Sequence, residues 1–68
     1  MYPNLKAEMA RISMTALELA ELIGMPYSTL NQKLSGKSEF TVGEAFKIRK
    51  ALGVNIPVEE LFKRAVEV

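Results

Sequence analysis

Two stretches of this chain carry the same punctuation, and it leaves little room for anything but short packed helices. Thr15-Ala16-Leu17-Glu18 opens the first and Gly24 closes it; Thr41-Val42-Gly43-Glu44 opens the second and Gly53 closes it. A Thr and a Glu at this spacing can each satisfy a free backbone N–H of the other, as in a capping box. A glycine enters the left-handed turn that ends a helix without a Cβ penalty. Between these marks the apolar residues recur at helical spacing. Ala16, Leu19, Ala20 and Ile23 fall at i, i+3, i+4 and i+7, one buried face, and Met14 with Leu19 makes a hydrophobic staple across the first cap. The second stretch is expected to bury Val42, Ala45, Phe46, Ile48 and Leu52.

Three more helices fit around these two. The first is predicted over Leu5–Ile12, with Asn4 as its N-cap after Pro3 and Leu5, Met9 and Ile12 facing inward. Another spans Tyr27–Ser35, with Leu30 and Leu34 inward and Gly36 closing it. A loop, Lys37–Phe40, follows. The last begins at Pro57, a favoured first helical position, and shows Val58, Leu61, Phe62 and Ala65 at helical spacing. No segment alternates like a strand. The expected fold class is therefore all-α: five helices with breaks of a few residues, in a single domain over 1–68. A chain of 68 residues buries only roughly 60% of the surface its unfolded form exposes, so stability should be modest.

Composition removes several kinds of chemistry. The chain has no Cys and no His, and all 8 of its acidic residues are Glu. Ser-His and Cys-His nucleophile pairs are excluded, as are the common zinc ligand sets. The expectation is a protein that is not an enzyme and has no cofactor, no metal and no small-molecule substrate. The formal charge is only +1, so net charge alone does not indicate a polyanionic partner. Residues 1–50 hold seven Lys/Arg against five Glu and residues 51–68 two against three, which sum to the 9 and 8 of the whole chain. No apolar run reaches membrane-spanning length, and MYPNLKAEM lacks the pattern of a signal peptide. A cytoplasmic location is expected, without a membrane partner.

The informative stretch is TALELAELIGMPYSTLNQKLSG, Thr15 to Gly36. Two short helices meet at a tight turn, Gly24-Met25-Pro26. Ala20, four residues before the glycine, is small enough to let two steeply crossed helices approach. Leu30, six after it, is placed to anchor the second helix on the first. That second helix turns Ser28, Thr29, Asn31, Gln32 and Ser35 outward, short polar side chains of the kind that reach base edges or phosphates.

These residues resemble the lambda-repressor-like helix-turn-helix family, which includes phage repressors and Cro proteins. The resemblance rests on the Thr15 cap, Leu19-Ala20, Gly24-Met25, Ser28-Thr29-Leu30 and Gly36. It continues through Phe40-Thr41, Glu44-Ala45, Ile48, Ala51-Leu52-Gly53-Val54 and Glu60-Leu61-Phe62, nearly the whole chain. It implies a five-helix DNA-binding domain whose helices two and three form the helix-turn-helix. The recognition helix would lie in the major groove of a double-stranded operator. By resemblance, Tyr27, Ser28, Asn31 and Gln32 would contact bases. Phosphates would be met by the backbone at Ala16 and by Thr29, Ser35, Lys37, Ser38 and Thr41.

The resemblance also implies a transcription regulator, repressor-like, from a prophage or mobile element. It would bind as a homodimer through the fifth helix and Val54–Val58, with Val66 and Val68 beyond. The rival reading is a protein-interaction module that keeps the fold without specific DNA binding. Some residues stay open. Tyr27 either leans on the bundle or faces the groove. Lys37 and Ser38 form either a solvated turn or a phosphate contact. Leu17 and Leu22 do not fit the buried face of their helix. Lys6 and Arg11 read as solvated.

Four positions depart from the family pattern. Ala16 stands where many relatives carry a phosphate-binding Gln, which leaves only backbone N–H groups there. Pro26 replaces a Ser or Thr cap. Lys33 occupies a commonly apolar position, so its stem is expected to pack while its amine stays wet. Arg49 replaces a small residue. Relatives often join helices one and three by a buried Arg–Glu pair; the matching positions here are Met9 and Leu34, expected to touch.

Overall fold

Each of five helices commits one side chain completely to a shared core. The computed structural model describes residues 2–64, and the helices are α1 (Pro3–Arg11), α2 (Ala16–Ile23), α3 (Tyr27–Leu34), α4 (Val42–Leu52) and α5 (Val58–Leu61). Leu5, Leu19, Leu30, Ile48 and Leu61, one from each in that order, are fully buried. Each contributes about 1.5–3 kcal/mol by leaving water. Met9, Ala20 and Leu52 complete the centre, and Met14, Ile23, Met25, Leu34, Val54, Ile56 and Phe62 pack around it. No strand forms among the described residues.

The punctuation behaves as its chemistry requires. Glu18 N–H donates to Thr15 Oγ1 at 3.1 Å while Thr15 N–H donates to Glu18 Oε1 at 2.9 Å. The second box repeats this with Glu44 and Thr41 at 3.1 and 2.9 Å. Gly24 takes φ 69°, which lets Met25 N–H reach back to Ala20 O at 2.9 Å and turns the chain sharply into α3.

One closure of this kind uses no glycine. After α1, Ser13 holds φ 56°, with Ser13 N–H on Ala10 O and Met14 N–H on Met9 O at 3.0 and 2.8 Å. A residue with a Cβ pays about 1–2 kcal/mol for this conformation, part of which glycine would return through its looser unfolded chain. Ser13→Gly is therefore expected to stabilise the fold by about 0.5–1 kcal/mol. In a melting experiment this is a rise in Tm of about 2–8 °C; an unchanged or lower Tm counts against strain at Ser13.

Several expectations need correction. Helix α1 begins at Pro3 with Tyr2 as its N-cap. Asn4 is not the cap; its amide donates to Glu60 O at 2.7 Å and ties α1 to α5. Ile12 is the C-cap of α1 and 38% exposed, because the chain has already turned away from the core. In α4, Val42 is 72% and Phe46 52% exposed. A helix rotates about 100° per residue. The stripe Ala45, Ile48, Leu52 faces the core and carries Val42 and Phe46 round its flank. Helix α3 ends at Leu34, with Ser35 as its C-cap. Helix α5 is four residues long, and Pro57 is its N-cap rather than its first turn. Leu17 and Leu22 are exposed. Ala65, Val66 and Val68 lie outside the described residues.

Two interactions absent from the sequence reading close the bundle. Tyr2, Phe40 and Phe62 stack edge to face, with centroids 5.4, 5.9 and 5.0 Å apart. Arg49 Nε donates to Ile56 O at 2.7 Å, so the unusual arginine on α4 holds the loop that leads to α5.

Candidate nucleic-acid interface

Helix α3 is anchored from beneath and open above. Leu30 is its one fully buried side chain among the described residues, while Tyr27, Ser28, Asn31, Gln32 and Ser35 are exposed. At about 100° per residue, Ser28 and Gln32 stand near the centre of the open face. Asn31 turns toward α1 and Thr29 toward α4. Tyr27 is 48% exposed, on the flank shared with Asn31.

The surroundings follow the same division. On one flank Asn31 and Ser35 line a groove with Ala16, Lys6, Met9 and Leu34. The N-terminus of α2 thus lies beside the polar face of α3. Met9 and Leu34 line this groove together, and Leu34 is half-buried rather than enclosed. On the other flank half-buried Thr29 shares a cleft with the Gly24–Pro26 turn, Glu44 and Lys47. Beyond α3, Lys37 N–H and Gly36 N–H fold back onto Gln32 O and Lys33 O at 2.9 and 3.2 Å. This fixes the backbone from which exposed Lys37 projects; Ser38 beside it is half-buried. Ser35 Oγ donates to Gln32 O at 2.9 Å.

The helix starts offer donors. Among the described residues the backbone N–H groups of Ala16 and Leu17, of Tyr27, Ser28 and Thr29, and of Val42 and Gly43 have no partner. Such groups favour anions. Thr41 Oγ1 accepts from Glu44 N–H but donates to nothing described, so its proton is free for a phosphate. Thr15 Oγ1, by contrast, both accepts from Glu18 N–H and donates to Glu18 Oε1.

Both capping carboxylates are held below their ordinary range, Glu18 by the Thr15 backbone and hydroxyl, Glu44 chiefly by Lys33 and then by Thr41 N–H. Their contribution to stability is complete above the usual carboxylate pKa and is lost as pH falls through the lowered values. Lys33 departs from expectation. Its ammonium is not left to water but sits 2.6 Å from Glu44 Oε1, with the lysine side chain 12% exposed.

A helix-turn-helix family model matches residues 5–58, from inside α1 to the start of α5. The chain belongs to the lambda-repressor-like helix-turn-helix family. This is a family of DNA-binding regulators. Among curated proteins and among solved structures nothing matches the chain. The two helices of the helix-turn-helix are α2 and α3.

The helix-turn-helix brings together most of the residues picked from sequence, on a connected surface running from Ala16 across Asn31, Gln32 and Ser28. Sequence reasoning passed over two cations near it. Lys6 is exposed, as its solvated reading expects, and lies beside Ala16 and Asn31, and Lys47 lies beside Thr29. Neither carries a local signal, since only packing brings α1 and α4 to the flanks of α3. Among the described residues no cluster of His, Cys, Asp or Glu could hold a metal, and no helix is long and apolar enough to cross a membrane.

Proposed function

We propose that the chain binds a specific double-stranded operator and regulates transcription, repressor-like, for a prophage or mobile element. Helix α3 enters the major groove. Tyr27, Ser28, Asn31 and Gln32 read bases there. Lys37, Ser38, Thr41, Thr29, Ser35 and the free N–H of Ala16 position the phosphates. The observation that carries this reading is the exposed polar face of α3 presented over buried Leu30. Two copies bind one site as a twofold dimer, with recognition helices one DNA turn, roughly 34 Å, apart.

Selection of bound sequences from random duplex DNA tests the reading. It should enrich a site of two symmetric half-sites, and an unenriched pool rejects it. A sedimenting monomer on the enriched duplex rejects the dimer alone.

Salt supplies a separate prediction. Log K should fall with log salt by about 0.9 for each phosphate neutralised. Lys37→Ala should weaken binding evenly across sequences and lessen that slope by about one unit. A flat response to salt in the parent chain argues against groove binding.

A second reading, a protein-interaction module, draws on exposed Leu17, Leu22, Val42 and Phe46. It predicts no salt-dependent DNA binding, so the same titration separates the two.

A further inference from the structure

We propose that Lys33 and Glu44 form a tether that sets the rotation of the recognition helix, and so act as positioning residues for base readout. The proposal rests on the DNA-binding reading above and deepens it.

Helix α3 is short, and only Leu30 is fully buried beneath it. Leu34, one turn on, packs on the core half-buried toward α1, so the flank of α3 that faces α4 is left to another contact to fix. Lys33 lies three residues on, on the same face as Leu30. Its ammonium meets Glu44 Oε1 at 2.6 Å in a half-buried setting. Among the described residues this is the one side-chain hydrogen bond from α3 to another helix. The far end is itself fixed. The same Oε1 accepts Thr41 N–H at 2.9 Å, and Glu44 N–H returns to Thr41 Oγ1. The tether therefore joins the base-reading helix to the capped start of α4, where Thr41 and the free N–H groups of Val42 and Gly43 await a phosphate. Base readers and phosphate clamp are held in one register.

Three single variants and one double test this in the full chain. Lys33→Arg keeps the pair. Lys33→Met keeps an apolar stem without charge. Glu44→Gln keeps an acceptor for the cap but loses the charge. Each is measured for melting, for salt slope and for the affinity ratio between the selected duplex and a scrambled one. Lys33→Met and Glu44→Gln should each lower that ratio by about threefold to tenfold, toward the low end of what coupled pairs show, with an unchanged salt slope. The double variant should be no worse than the worse single one, and Lys33→Arg should match the parent. Discrimination untouched in a folded Lys33→Met or Glu44→Gln chain overturns the tether. So do additive losses in the double variant. So does a salt slope that drops only in Lys33→Met, which would make Lys33 a direct phosphate contact. A parent chain that fails to discriminate overturns the underlying reading instead, and shows this before any variant is made.

Discussion

Leu30→Ala is expected to cost about 2–5 kcal/mol, the range for a buried leucine truncated in a core that cannot collapse around the gap. A domain of this size has roughly 0.05–0.15 kcal/mol of stability per residue in total, so the loss consumes much of it. The effect should be larger here than at the core's edge for a structural reason. Leu30 is completely enclosed, and it is the one side chain of α3 that is. Its loss removes the one fully buried support of α3 along with its burial. Leu30→Met, nearly equal in volume, should cost under about 1.5 kcal/mol. Denaturant unfolding of the two variants checks the difference, and similar midpoints for both mean that α3 is held elsewhere.

The second large effect concerns specificity with the fold intact. Asn31 and Gln32 are both exposed on α3, so replacing both with Ala disturbs little packing. An Asn or Gln amide can bond adenine at two points, donating to N7 and accepting from the N6 amine, each pair worth about 1–3 kcal/mol of discrimination. The double variant should therefore lose on the order of tenfold or more in preference for the selected duplex. Most salt-dependent affinity should remain, because phosphate contacts position without specifying. No Lys or Arg stands on the first turn of α3, so the selected half-site should place A·T pairs opposite these amides. An unchanged ranking of duplexes after the double substitution would mean that another face of the protein reads DNA.

Much of this arrangement was legible from local rules. The two capping boxes, Gly24 and Gly53 formed as written because each depends on a few neighbouring residues. The inward stripe of α2 and the anchor Leu30 followed from helical period. The errors lie where distant residues decide. Val42 and Phe46 satisfied the apolar pattern of α4, but the core has room for only one stripe of that helix, and Ala45, Ile48 and Leu52 fill it. Asn4 looked like a cap until α5 supplied a carbonyl at Glu60. Lys33 looked like a solvated departure because its partner, Glu44, had already been assigned a complete local role as a capping residue. A carboxylate oxygen accepts more than one hydrogen bond, and pattern reading allotted Glu44 only its share in the cap. Ser13 gave no warning either, since a serine after a helix signals nothing about a positive φ.

The ring stack of Tyr2, Phe40 and Phe62 bears on the order of events in folding. Arg64 extends it, its guanidinium 3.3 Å from Tyr2 Oη across 62 positions of sequence. The turn between α2 and α3, by contrast, closes over a handful of residues. Closing a long loop costs more chain entropy than closing a short one, so the α2–α3 pair has the head start and the ring stack is a late clasp. Contacts made after the transition state govern how fast a protein opens and leave the rate at which it forms nearly untouched. On that order the clasp acts on the lifetime of the folded chain and leaves the rate at which α2 and α3 pair nearly untouched.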